Sequence, residues 1–172
     1  TIEGVTLIGK AIGSQVHNGK SVCVGRDGRL SGPAITKALI EGIASTGVDV
    51  IDIGQTSSPG LYFATHALKT GNGVMVTGSH NPPEYNGLKI SGKDALPVGY
   101  DTGLKEIESK LSDPVILNSK KGKVINFNAR DKYFEFLSKY LPDISNLKIA
   151  IDCSNGMASL FIKELLDDKP IY

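Results

Sequence analysis

Tryptophan is absent, and the remaining aromatics are sparse: six Tyr and five Phe in 172 residues. That points away from a surface that stacks nucleic-acid bases. A charge excess of either sign is also lacking, with 19 Lys and Arg against 18 Asp and Glu. The balance leaves no electrostatic footprint for nucleic acid, and no basic run marks a membrane surface. No apolar stretch approaches the roughly 20 residues of a membrane-spanning helix. Only two cysteines occur, Cys23 and Cys153, with no CxxC motif, and the three His have no zinc spacing. Both cysteines lie in apolar runs, residues 21–25 and 149–153, which read as buried strands with the thiols as small core groups. An N-x-S/T site and a signal peptide are missing as well. Together these absences predict a soluble, cytoplasmic protein with no nucleic-acid or membrane partner.

What is present is a regular alternation. Val5, Ile8, Ala11, Ile12 and Val16 recur at helical spacing, so residues 5–17 read as a helix that begins without an obvious cap, a first sign of trimming. Strands follow at 21–24, 48–53, 73–76 and, shorter, 86–91. Helices are expected from Ser31 or Pro33 to Thr46, from Ser57 or Ser58 to Leu68, over 101–111 and over 130–141. A further strand at 147–152 and a helix at 157–166 follow. This pattern predicts an α/β fold: a mixed, mostly parallel sheet with helices on both faces. The fresh strand–helix start divides the chain into residues 1–128, a first domain, and 129–172, the beginning of a second. The second piece is too short for a core of its own. Either the chain is a fragment, or that piece docks on the first domain.

Several motif-like stretches do not fit their chemistry. Gly19-Lys20-Ser21 resembles the end of a phosphate-binding P-loop, but Ser14 stands where its first Gly belongs, and the flanking elements are reversed. Ser79 lacks the flanking glycines of a hydrolase elbow, which Thr77 and Asn81 replace. No dinucleotide fingerprint follows the first strand.

The informative segment runs Val76-Thr77-Gly78-Ser79-His80-Asn81-Pro82-Pro83-Glu84-Tyr85-Asn86-Gly87-Leu88-Lys89-Ile90. It reads as a buried strand stopping at Gly78, then a polar loop. Ser79 and His80 fall at the strand's C-terminal end, where open α/β sheets bind ligands. Pro82 and Pro83 stiffen the loop by fixing φ. Asn86-Gly87 turns the chain into a return strand, with Leu88 and Ile90 on one face and Lys89 on the other. From the residues alone two readings stay open: a loop that holds a hydroxyl at one spot for chemistry, or a rigid connection with none.

Thr-Gly-Ser-His-Asn-Pro-Pro followed by Tyr-Asn-Gly-x-Lys-Ile resembles the active-site serine loop of the α-D-phosphohexomutase superfamily, closest to bacterial phosphomannomutase/phosphoglucomutase. Two further stretches share the resemblance: Val24-Gly25-Arg26-Asp27-Gly28-Arg29-Leu30-Ser31-Gly32-Pro33, and Asp152-Cys153-Ser154-Asn155-Gly156-Met157-Ala158, which looks like the opening of the family's second domain. The resemblance implies that Ser79 is a phosphoserine that passes its phosphoryl group to a hexose monophosphate. The product would be a hexose 1,6-bisphosphate that reorients and returns its other phosphate. It also implies Mg²⁺, with an oxygen of the Ser79 phosphate as one ligand. Lys89 matches the family's general acid/base. His80 and Asn81 would hydrogen-bond the phosphate or position the sugar. Arg26 and Arg29 would bind phosphate through their planar forks, or else form with Asp27 an ion-pair cluster supporting the serine loop. His17 and His66 sit on expected helices in surface or core-edge roles.

Departures matter too. The family's Tyr-x-x-Arg-Gly segment is missing, as are its D-G-D-G-D-R metal loop, sugar-recognition loop and fourth-domain phosphate loop. Ser57-Ser58-Pro59 stands where Pro-Thr-Pro is commoner. The expectation is an N-terminal piece of a mutase acting on mannose and glucose phosphates, inactive alone. Phosphoglucosamine mutase, or a non-catalytic module binding phosphosugar or a protein, are the alternatives.

Overall fold

The computed structural model describes residues 1–16, 20–112 and 120–166. The first helix, α1 (Ile2–Gln15), starts earlier than its periodicity predicts, because Thr1 caps it. The Thr1 Oγ1 accepts the Gly4 N–H at 3.1 Å, which replaces the expectation of an uncapped start. His17 lies outside the described residues.

Then follow β1 (Val22–Arg26), α2 (Gly32–Ser45), β2 (Val50–Gln55), α3 (Ser58–Ala67) and β3 (Asn72–Val76). Pro33 occupies the first turn of α2, where its missing N–H costs no helical bond. Ser57, not Ser58, caps α3, its Oγ accepting the Gly60 N–H at 3.1 Å. The return strand β4 (Leu88–Ser91) is shorter than expected, and α4 (Leu104–Lys110) falls within the helix expected there.

The sheet has the order β4-β3-β1-β2-β5, where β5 (Val124–Asn126) is an edge strand that the sequence reading does not anticipate. All pairings are parallel except β3 with β4. The mixed, mostly parallel sheet is therefore as expected. Alternate strand residues feed two cores. Val22, Val24, Val74 and Val76 pack with Ile12, Leu39 and Ile43 from α1 and α2. Cys23, Ile53 and Met75 pack with Leu61 and Ala64 from α3. Buried on both faces, the strands read as continuous apolar runs.

The C-terminal piece corrects two expectations. Residues 147–152 carry no strand, only a single bridge residue at Ile149. A strand is stable only within a sheet, and among the described residues no neighbouring strand of a second sheet exists. Residues 157–166 form a 3₁₀ turn, Met157–Leu160, and a short α6 (Ile162–Leu165) rather than one helix. The helix α5 (Arg130–Ser138) docks on α3 through aromatic rings. Tyr133 lies 5.4 Å from Phe63 and 5.3 Å, edge-on, from Phe161. The segment from α5 onward thus packs on α3.

Candidate active site

The order β2-β1-β3 places β1 at a topological switch point, where open α/β sheets leave a crevice beyond the strand ends. The loops after β1 and β3 meet there. The Asp27 N–H donates to the Val76 carbonyl at 3.0 Å, and the Thr77 N–H donates to the Gly87 carbonyl at 2.9 Å. Both loops thus leave the sheet in fixed directions.

Ser79 is exposed, while Thr77 and Gly78 before it are buried. Its φ is 53°, in the left-handed region that serine rarely occupies. Such a conformation persists only when its surroundings over-determine it. Here they do. The Ser79 N–H donates to Thr77 Oγ1 at 2.9 Å, and that hydroxyl donates to Asp27 Oδ2 at 2.6 Å. Asp27 in turn accepts the Arg29 backbone N–H at Oδ1, 3.0 Å, and pairs with Arg29 Nε at 3.3 Å.

The Arg29 guanidinium then closes the circuit onto the serine loop. Its Nη1 donates to the carbonyls of Pro82 at 2.6 Å and Tyr85 at 2.8 Å. Its Nη2 donates to those of Ser79 at 2.9 Å and Asn81 at 2.6 Å. Its Nε lies 3.3 Å from Asp27 Oδ2 as an ion pair, so each guanidinium nitrogen has a partner in the two loops. Of the two readings of Arg29, phosphate binding and loop support, the contacts present here are those of loop support. Arg26 differs. It ends β1 half-buried and donates once, from Nη1 to the Asp27 carbonyl at 3.2 Å. No carboxylate pairs with it among the described residues, so its fork retains free donors.

His80 and Asn81 have exposed side chains beside Ser79, and the Asn81 N–H closes the turn on the Gly78 carbonyl at 3.0 Å. Lys89 is exposed in β4, opposite Met75, while Leu88 and Ile90 face the α1–α2 core. Because β4 runs antiparallel, its first residues lie beside the end of β3, so Lys89 is close to the sheet edge that carries Ser79. His66 lies on α3, largely exposed, 4.0 Å from Asp94 and apart from this edge.

Two contributors escaped the sequence reading. Thr77 links Ser79 to Asp27, and Asn86 ties the loop to the start of α2 through Nδ2 to Ser31 Oγ at 3.0 Å. A polar residue continuing an apolar strand, as Thr77 does, is the signal that could have marked the first. Among the described residues, no group of three or more His, Cys, Asp or Glu could hold a metal ion.

Residues 1–114 match the phosphoglucomutase/phosphomannomutase alpha/beta/alpha domain I family. The chain belongs to that family. The matched stretch runs from α1 through α4 and contains every side chain of the edge just described. The chain is 39% identical over 165 residues to a phosphomannomutase/phosphoglucomutase of Pseudomonas syringae, covering 93% of this chain and 34% of that protein. It is 36% identical over 156 residues to a phosphomannomutase of Escherichia coli K12, covering 88% of this chain and 34% of that protein. A crystal structure of a phosphoglucomutase/phosphomannomutase family protein from Burkholderia thailandensis superposes with a TM-score of 0.86 at 32% identity, over 99% of this chain and 39% of that one. The chain therefore spans about a third of the length of the curated relatives it matches.

Proposed function

We propose that this chain supplies the phosphoryl-carrying serine of a phosphohexose mutase, interconverting hexose 1-phosphate and hexose 6-phosphate of the mannose and glucose series. The observation that carries the reading is Ser79 itself. An exposed hydroxyl is fixed in a left-handed backbone at the sheet's switch point by a buried Thr77–Asp27–Arg29 network. Catalysis of phosphoryl transfer is mostly positioning and charge stabilisation, and this arrangement supplies the first.

In the proposed cycle the phosphoryl group of phospho-Ser79 passes to the free hydroxyl of a hexose monophosphate. The P–Oγ bond breaks, an O–P bond to the sugar forms, and the hydroxyl proton passes by way of Lys89 to the freed Ser79 Oγ. The resulting hexose 1,6-bisphosphate reorients. Its other phosphoryl group then returns to Ser79 Oγ as its O–P bond breaks, and the Ser79 hydroxyl proton passes by way of Lys89 to the freed sugar oxygen. Arg26, His80 and Asn81 bind the phosphates or orient the sugar. Mg²⁺ would neutralise charge on the transferring group. An oxygen of the Ser79 phosphate would be one of its ligands, and among the described residues no group of three or more acidic, His or Cys side chains stands ready to complete the site. The remaining assignments follow the same reading: residues 1–128 form the serine-bearing domain, 129–172 begin the next, and the protein is cytoplasmic. No helix among the described residues is long and apolar enough to cross a membrane.

The test is to incubate the chain with a hexose 1,6-bisphosphate and Mg²⁺, then take an intact mass and map peptides. One phosphoryl group on the Ser79 peptide, absent in Ser79→Ala, is the expected result. Phosphorylation elsewhere, or sugar-phosphate binding that survives Ser79→Ala without any phosphorylation, would replace a mutase with a binding module.

A further inference from the structure

We infer that Arg29 is the positioning residue of the serine loop: it acts on the reaction through the backbone of residues 79–85, and not through the phosphate. Its functional consequence rests on the mutase reading; its structural content does not.

Two independent observations lead here. The first is the set of partners around the guanidinium. Four of its N–H donors end on the carbonyls of Ser79, Asn81, Pro82 and Tyr85, and Nε forms an ion pair with Asp27. Those carbonyls belong to one loop, and a planar fork is the only side chain able to collect them at once. Lysine has three donors on a single atom and cannot reproduce the spread. The ion pair is nearly buried, with Arg29 and Asp27 side chains 13% and 12% exposed. Asp27 also neutralises the charge that Arg29 would otherwise present to an anion.

The second observation comes from Gly78. A Cβ built there would stand 2.5 Å from Arg29 Cζ, 2.7 Å from Nε and 2.8 Å from Nη1. The guanidinium therefore lies directly over the Cα of the residue before Ser79, and glycine at that position is required by Arg29. The φ of Gly78 is not positive, so this contact, and not a left-handed backbone, favours glycine there. Loop and arginine are thus a matched pair. The clamp holds the peptide on both sides of Ser79, its N–H through Thr77 and its carbonyl through Arg29 Nη2.

The pairing makes a prediction about coupling that a generic structural role does not. Backbone amide exchange of the chain, residue by residue, is the measurement. In Arg29→Ala the Ser79 and Asn81 amides should exchange about tenfold or more faster, as expected from losing charge-assisted bonds, while Val74 and Met75 in β3 keep their protection. Arg29→Lys should behave the same way despite keeping the charge. Gly78→Ala should free the loop in the wild-type background and have no added effect in Arg29→Ala, because the clashing group is gone. Added guanidinium ion should restore protection to Arg29→Ala and not to Gly78→Ala. Full loop protection in Arg29→Lys, or additive effects of Gly78→Ala and Arg29→Ala, would overturn the assignment. If Arg29→Ala does not fold, Arg29→Lys and Gly78→Ala carry the test between them. These readouts involve no sugar phosphate, so their failure is distinct from failure of the mutase reading. In an active enzyme carrying this loop, Arg29→Lys should lower kcat with little change in KM. A rise in KM alone would instead mean that Arg29 binds substrate.

Discussion

At the scale of single residues, the site is held by groups that are mostly out of sight. Thr77 shows this best, since it both accepts from Ser79 and donates to Asp27 from a nearly buried position. Thr77→Val keeps the shape and removes both bonds, leaving a buried carboxylate oxygen short of a donor. We expect a loss of about 1–3 kcal/mol in urea denaturation. Cys23 illustrates a different control. Burial pushes its thiol from the ordinary 9.0 up to about 12, opposed by the Thr65 hydrogen bond and aided, less strongly, by the Asp52 charge. The folded chain therefore holds this proton where the unfolded chain releases it. Its contribution to stability is complete below pH 9.0 and declines as pH climbs toward about 12. Thermal melts from neutral to alkaline pH should fall less steeply for Cys23→Ala than for wild type. At neutral pH the thiol of Cys153, half-buried, should alkylate well before that of Cys23.

At the scale of elements, helices α1 to α5 and the inner strands were legible in the sequence because local signals and burial agree there. Pro33 and Ser57 punctuate helix starts, and β1 and β3 are short apolar runs bounded by turn residues. The serine loop was legible for the same reason: Gly78, the two prolines and Asn86-Gly87 restrict the backbone from within. What the sequence hid depends on partners distant in the chain. Residues 124–126 are all exposed and show no alternation, so β5 exists only because the edge of β2 is there to receive it. Residues 147–152 show the converse, an apolar run with no strand beside it. The commitment of Arg29 was hidden too, since it depends on where four carbonyls point once the loop has folded. Helix packing adds a test at this scale. The helices α1 and α2 cross at Gly9 and Gly42, where a Cβ on Gly42 would lie 2.3 Å from the Thr6 carbonyl oxygen and one on Gly9 would lie 2.5 Å from that of Leu39. Gly42→Ala must separate two backbones and should cost about 1–3 kcal/mol, read as a lowered Tm, although alanine is the better helix former.

At the scale of the whole molecule, the described residues combine a five-stranded sheet with a docked C-terminal piece. Tyr133 and Phe161 are both buried against the rest, and Tyr133 bridges Phe63 to Phe161. A chain ending at residue 128 should therefore melt at a lower temperature than the 172-residue chain, with Phe63 newly exposed to solvent and hydrophobic dye binding increased. Phosphoryl transfer between two sugar positions asks for several charged groups acting together, and the residues gathered at this edge are a subset. Steady-state assay of the 172 residues alone, with mannose or glucose 1-phosphate, should show no sustained turnover even where Ser79 can be phosphorylated.

The outer margin of β5 has a bearing on handling and concentration. Val124 and Ile125 are half-exposed there, and among the described residues no strand pairs with that side. Such a margin is a template on which a second copy could extend the sheet into an aggregate. Three residues offer only a short ladder, and Lys121 and Lys123 set positive charge immediately before it. Two copies approaching edge to edge would bring like charges together before any hydrogen bond formed. Brevity and lysine thus act as a guard on solubility, one that weakens as salt rises and the charges are screened.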